Sequence, residues 1–420
     1  MKIGIYFTPN KDQGGTYSYD VSFLEALSRI RNNNYVIFNS SKDLPKKFSS
    51  ISNFKVININ MKDYSFLIKI RELLSHFIAI IFPSFVNILY KLNFFDLITS
   101  IYKITQTDLI KIFENENLDL IFYPTSSNLS FLVNAPFMVT VHDLQHRQNS
   151  KFKEVSAGGR WENREYSFKN ISENAFRIFV DSEIGKKDLI NYYKSNPAKI
   201  VILPYLASTY LNTKLPNKKV DKLIKDMKLP ESFIFYPAKF WPHKNHVNLI
   251  KALKILKDQK KNVNLVLTGS KHADYSSYNE VFDLIKKYNL GGQVYYLGHV
   301  DPEQLSAIYK KSQAMVMPTF FGPTNIPILE AWVMGTSVVT SDIRGCRDQL
   351  GNAGLLVNPN SPRDIAQKTW KLYTNKKLRL ELVRRGKIKI DGWKLSDFTL
   401  TIEKVILDFK TGKINERGNN

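Results

Sequence analysis

The stretch AMVMPTFFGPTNIPILEAWVMGTSVVTSDIRG, residues 314 to 345, constrains the fold more than any other part of the chain. Ala314 to Met317 is a short apolar run of strand type. Pro, Gly, Thr and Asn follow as a turn, Pro327 to Met334 has helical spacing, and Ser337 to Thr340 is a second strand-type run. Strand, loop, helix and strand in that order make one βαβ unit of a parallel sheet. Pro327 suits a first helical turn, because its missing N–H would have no partner there, and the small and polar residues before it can expose backbone N–H groups. A helix N-terminus of that kind is an anion site. Glu330 lies three residues further in, on a turn able to face the same pocket. A carboxylate is a poor phosphate ligand but a good acceptor for sugar hydroxyls, so the unit reads as a seat for a sugar nucleotide. An ordinary βαβ turn with a solvated glutamate is the alternative that shape alone leaves open.

A chain of 420 residues exceeds one typical core and suits two domains. With 43% hydrophobic and 13% aromatic residues, it has ample material for burial. Cys346 is the single cysteine, which excludes a disulfide framework and a cysteine-built zinc site and agrees with a reducing cytoplasm. MKIGIYFTPN has the pattern of a buried strand and not of a signal peptide, so a cytoplasmic location is expected. The formal charge of +22 asks for an anionic partner, which can be nucleic acid, a membrane surface or a phosphorylated substrate. No run of Lys or Arg exceeds two and no nucleic-acid-binding signature occurs, so nucleic acid is not expected. A bias toward Lys, Asn and Ile throughout the chain accounts for part of the charge without any function.

KIGIYF reads as a first strand, followed by a loop with Gly14 and Gly15 and then a helix. That loop lies at the carboxyl end of a parallel strand, where open α/β sheets bind ligands, and its glycines let backbone N–H groups approach a phosphate or an acceptor. Residues 65 to 104 are aromatic and aliphatic with peripheral cations Lys69, Arg71, Lys91 and Lys103. The longest uncharged part, Phe77 to Tyr90, is too short for the roughly 20 residues of a bilayer span. It fits either a surface lying on anionic lipid or a pair of core helices. FMVTVHD ends a buried strand in His142 and Asp143, a place where catalytic groups collect. His146, Arg147, Trp161, Arg164 and Tyr166 are polar or aromatic candidates for an acceptor cleft. Residues 211 to 223 lose apolar periodicity and read as the interdomain linker.

In the second half, a strand reaches Ala238 and a loop carries Lys239, Trp241, Pro242, His243 and Lys244 before a helix near Asn245. Lys239 and Lys244 can converge on one diphosphate, with the helix dipole adding to them. NLVLTGS ends a strand in Gly269, where a side chain would obstruct a ligand.

GPTNIPILEAWVMGTSVVTSD resembles the signature of the retaining glycosyltransferases of GT-B fold, family 4 (group 1), in its FGPTN-x-P-x-LEA version. The resemblance is strongest over 230 to 370, weaker over 1 to 30 and 135 to 205, and gives nothing over 40 to 115. It implies an α/β fold of two Rossmann-like, doubly wound parallel-sheet domains facing a central cleft. Residues 1–212 would form the acceptor domain and 213–390 the donor domain, with 391–420 a helix crossing back to the first. The commoner signature has two glutamates eight positions apart; Glu330 matches the second, and Gly322 stands where the first would be. The backbone of Pro323, Thr324, Asn325 and Ile326 is then expected at the phosphate and Glu330 at the ribose. His142 is expected under the donor sugar, and the Gly298-His299-Val300 turn at the nucleobase. Lys244 matches directly and Lys239 by charge. The resemblance implies transfer of a hexose, mannose-like as a first guess, from a nucleoside diphosphate sugar to a lipid-linked or oligosaccharide acceptor of bacterial surface polysaccharide, with no metal or other cofactor. It also implies peripheral attachment at the inner face of the cytoplasmic membrane. A sugar-nucleotide-binding protein without catalysis and a GT-B epimerase are the rival readings.

Overall fold

The structure, a computed structural model, describes residues 1–59, 88–92, 94–211, 213–272, 275–322 and 324–412. The chain packs as two compact units, residues 1–204 with 395–420 and residues 205–394. Each contains one sheet whose strands are all parallel among the described residues.

In the first unit the strands are β1 (Lys2–Phe7), β2 (Asn34–Asn39), β3 (Phe54–Asn58), β4 (Leu120–Tyr123), β5 (Phe137–Thr140), β6 (Arg177–Val180) and β7 (Ile200–Ile202). Their order across the sheet is β3-β2-β1-β4-β5-β6-β7. The chain reverses its direction of strand addition between β1 and β4, the switch point at which open sheets place ligands. The LIFY, FMVT and RIFV runs are buried at every position, as largely apolar strands covered on both faces are. Helix α1 (Gly15–Leu27) follows β1, α2 (Phe95–Thr105) precedes β4, and α3 (Arg160–Asn174) lies between β5 and β6. The last helix of the chain, Leu395–Lys410, packs on α1, where Phe398 meets Tyr19 and Phe23 edge-on at 6.0 and 6.2 Å.

In the second unit β8 (Ile234–Pro237), β9 (Leu265–Thr268), β10 (Val294–Tyr296), β11 (Ala314–Met317), β12 (Val338–Ser341) and β13 (Leu355–Val357) follow the order β10-β9-β8-β11-β12-β13. The helices used below are α4 (His246–Asp258), α5 (Pro302–Lys311) and α6 (Ile326–Met334). The predicted strand, loop, helix and strand of 314 to 345 are thus β11, α6 and β12, with Pro327 in the first turn of α6.

The second unit begins ahead of the expected linker. Leu211 belongs to its core, and Asn217–Asp226 is a helix with Val220 and Ile224 buried. The helical period exists in that stretch, carried by Val220, Leu223 and Ile224, but the lysines between them mask it in the sequence.

Of the 65–104 segment, 65–87 and 93 lie outside the described residues. In the remainder Leu89, Tyr90 and Ile98 pack around Tyr166, while Ile88, Leu92, Phe94, Leu97 and Ile104 are exposed. One face therefore turns into the unit and another into solvent. No helix of the described residues is long and apolar enough to cross a membrane.

Candidate functional site

The second unit brings the loops after β8, β9, β10 and β11 together along one edge of its sheet. The loop after β8 makes a 3-10 turn, Pro242–Lys244, and Asn245 then adopts φ +60° before α4. Hydrogen bonds and a ring stack hold this loop. Tyr236 OH donates to the Lys244 carbonyl at 2.9 Å, and Asn245 Nδ2 donates to the carbonyls of Pro318 and Pro359 at 2.7 and 2.8 Å. The His243 carbonyl accepts from Phe320 N–H at 2.7 Å and Thr319 Oγ1 at 3.1 Å, while its ring stacks on Phe321 at 3.9 Å. Lys239 and Lys244, both half-buried, are thus carried on a loop interlocked with the segment that enters α6.

That segment is built around Gly322, which has φ +136°. A glutamate there, as in the commoner signature, would be strained by this backbone, and its Cβ, 2.8 Å from Asn325 Oδ1, would displace the Asn325 side chain. Gln349 grips the Asn325 peptide from both sides. Its Oε1 accepts the Asn325 N–H at 2.9 Å, and its Nε2 donates to the Asn325 carbonyl at 3.0 Å. Asn325 Nδ2 meets the Gly322 carbonyl and Cys346 Sγ, each at 3.3 Å. Burial pushes the Cys346 thiol up to about 11, which keeps it protonated. The Asn325 N–H, expected at a phosphate, is therefore already given to Gln349; Thr324 and Ile326 flank it, and Pro323 lies outside the described residues.

Gly269 and Glu330 each have close partners within the protein. Gly269 has φ +119°, and a Cβ on it would stand 2.5 Å from the Ala238 carbonyl, so the glycine permits the close approach of two backbones. Its N–H donates to the Gly298 carbonyl at 2.8 Å, which joins the loops after β9 and β10. His299 is exposed in that turn, and Val300 packs against the core. Glu330, expected at a ribose, is buried with both carboxylate oxygens in use. Oε1 accepts from Ser208 Oγ, and Oε2 accepts from Tyr309 OH of α5 at 2.7 Å. Burial raises its pKa against the pull of these hydroxyls and that of Tyr210. The carboxylate does accept hydroxyls, but they are the protein's own.

The first unit has a cavity of about 690 Å³ at the carboxyl ends of β1, β4 and β5. Tyr6, Thr16, Asn128, His142, Asp143 and Arg164 are among its lining residues. His142 follows β5 and stands edge-on to Tyr19 at 5.0 Å. Burial lowers its pKa to about 4, against the opposing charge of Asp143, so the ring is neutral at neutral pH. At Asp143 burial works against ionisation, but Arg164 and the Gln145 N–H at 2.9 Å prevail and hold the pKa below the usual range. Arg164 Nη2 donates to Asp143 Oδ1 and, at 3.0 Å, to the Asp143 carbonyl. The site thus offers a neutral imidazole beside a permanent ion pair. Gly14 contributes through its φ of +60°, which turns the chain into α1. Its N–H is given to the Lys11 carbonyl at 3.2 Å. Gly15 opens α1, and Thr16 is the residue that reaches the cavity.

The sequence reading missed Gln349, Cys346, Asn245 and the buried Asp20, whose Oδ1 accepts from Thr125 Oγ1 at 3.0 Å and whose pKa burial raises well above the ordinary range. Only Asn245 carried a local signal, since Asn tolerates positive φ at a turn.

Residues 217–389 match the model of the family described as glycosyl transferases group 1. The O-antigen chain mannosyltransferase B of Escherichia coli is 25% identical over 199 residues, 47% of this chain and 51% of that protein. The chain thus spans about half the length of that relative. An uncharacterized glycosyltransferase of Methanocaldococcus jannaschii is 24% identical over 397 residues, 89% of each chain. Among solved structures, Anabaena HepE in complex with UDP and glucose superposes with a TM-score of 0.69 at 16% identity, over 97% of this chain and 100% of that one. That likeness is one of fold: two Rossmann-like parallel-sheet domains of the GT-B kind.

Proposed function

We propose that the protein is a retaining glycosyltransferase that moves a hexose from a nucleoside diphosphate sugar to a glycan acceptor. The observation that carries this reading is the interlocked pair of loops in the second unit, one bearing Lys239 and Lys244 and the other leading into the N-terminus of α6. Cations and a helix N-terminus on one rigid frame suit a diphosphate leaving group. The bond from the anomeric carbon to the diphosphate oxygen breaks, the acceptor oxygen bonds on the same face, and the departing phosphate takes the acceptor proton. No metal is assigned a part in this scheme. The first unit binds the acceptor in the cavity of His142, with Arg164 and Asp143 fixing acceptor hydroxyls.

Mannose as the sugar, and a lipid-linked surface-polysaccharide intermediate as the acceptor, are supported by the likeness to the E. coli mannosyltransferase. The exposed Ile88, Leu92, Phe94, Leu97 and Ile104, with Lys91 and Lys103 beside them, support attachment to an anionic membrane face in the cytoplasm. Sedimentation with anionic liposomes at low salt tests that part, and a chain left wholly in the supernatant removes it.

Gly322 favours a second reading, a sugar-nucleotide-binding protein without turnover, because its conformation disfavours the first glutamate. The thermal midpoint with UDP, GDP, dTDP and CMP, for the native chain and Lys244→Ala, decides first. Ligand at a hundred times its Kd adds about 2.7 kcal/mol. One diphosphate is expected to raise the native midpoint and not that of the variant. No shift with any nucleotide ends both readings, and a shift without transfer to any glycan acceptor leaves the second.

A further inference from the structure

Helix α3 separates two cavities of the first unit. Asn163, Arg164 and Ser167 lie on the face toward the His142 cavity. Trp161, Glu165 and Lys169, four residues apart in turn, lie on the opposite face and line a second cavity of about 400 Å³. Small-molecule pockets run to about 300–1,000 Å³, so the second one is of ligand size.

Aromatic rings and balanced charge define its chemistry. The Arg147 guanidinium stands 5.5 Å from the Trp161 ring and 5.6 Å from that of Tyr192. Glu165 accepts from Arg147 Nε at 2.6 Å and Tyr193 OH at 2.7 Å and is 2.8 Å from His146 Nε2. Burial opposes its ionisation, yet these partners lower its pKa to about 2. It is therefore a permanent carboxylate that fixes Arg147 in place. Glu162, Glu173, Lys169 and Lys194 also line it, so the lining has three acids and three bases. A phosphate or an anionic headgroup would find no net attraction there. A neutral ligand with one apolar face and a rim of hydroxyls finds aromatic carbon, carboxylate acceptors and ammonium donors together. The two cavities also share a wall. Asn163 Oδ1 accepts from Tyr90 OH, on the second cavity, at 3.3 Å and from Asn128 Nδ2, on the first, at 3.0 Å.

We infer that the second cavity binds a neutral pyranose ring, a remote sugar residue of a glycan whose reacting end occupies the His142 cavity. The site for a sugar ring stands on the cavity alone; its link to the acceptor rests on the proposed transferase activity.

The test uses the full chain, labelled with ¹⁵N, without nucleotide. The indole signal of Trp161, identified by its loss in Trp161→Phe, is followed during titration with α-linked mannotriose, maltotriose, N,N′-diacetylchitobiose and inorganic phosphate. At least one saccharide is expected to shift it saturably and phosphate to leave it in place. Tyr192→Ala, at an exposed position, and Glu162→Gln are each expected to weaken that saccharide at least about tenfold with the thermal midpoint held. No shift with any saccharide overturns the inference, as does a shift with phosphate alone or a saccharide response untouched by both variants. Nucleotide binding is read separately. Sugar binding without it keeps this site and removes the transferase, whereas nucleotide binding with a silent Trp161 does the reverse.

Discussion

The His142 cavity of the first unit and the lysine-bearing loops of the second put polar side chains to different uses. Around His142 the side chains themselves face the cavity, with their protonation set by burial and by Arg164. Around α6 the polar side chains of Asn325, Gln349 and Asn245 turn inward and hold backbone. A substitution in the first place should therefore change pH behaviour and selectivity. One in the second should change loop geometry and, through it, affinity for a diphosphate.

The contrast breaks most easily at Gly322. Gly322→Glu restores the residue of the commoner signature, yet it should cost about 4 kcal/mol in backbone strain and overpacking and lose nucleotide binding. A variant that melts with the native chain and transfers sugar faster would mean the loop tolerates the acid. Lys244→Ala ranks next. It should slow transfer roughly a hundredfold, about 3 kcal/mol, at unchanged thermal midpoint without ligand. Equal rates for variant and native chain in a saturating assay would remove the lysine from the chemistry.

Gln349→Leu removes both hydrogen bonds to the Asn325 peptide and should destabilise the second unit by about 2 kcal/mol. Faster hydrogen exchange at the Asn325 amide is the local signature, and protection equal to native would show that the clamp is idle. The smallest effect sharpens the other side of the comparison. His142 titrates near 4 in the folded chain and near 6.5 when unfolded, so the unfolded state binds more protons between those values. Stability is then full above pH 6.5 and falls as pH drops toward 4, by about 2 kcal/mol between pH 7 and 5 from this one group. His142→Asn should flatten that part of the denaturation curve; an unchanged slope would assign the acid sensitivity elsewhere, with His246, also lowered by burial, to about 3, the next candidate.

The βαβ unit of 314 to 345 was legible because its information is contiguous: apolar runs, a glycine and proline turn, and a helical period lie side by side. The lysine loop was legible for the same reason, as was His142 at the end of β5. The helix Asn217–Asp226 was not, since the exposed Lys218, Lys219, Lys222 and Lys225 outnumber Val220, Leu223 and Ile224, the apolar residues on its inner face. Glu330 shows where such reading stops. Its type announced a hydroxyl acceptor, but its position along α6 could not reveal that Ser208 and Tyr309, 122 and 21 residues away, would supply the hydroxyls.

The sequence by itself determined the parallel α/β class, the strand ends at which ligands are expected, and the need for a non-glutamate solution at Gly322. These follow from burial patterns and backbone freedom, which are properties of neighbouring residues. Tertiary structure alone decided that Gln349 holds Asn325, that Arg164 fixes Asp143, and that α3 carries a different cavity on each face. Those pairings join residues far apart in the chain, where no local period records them, and only the packing of loops from separate strands brings their polar atoms within hydrogen-bonding distance.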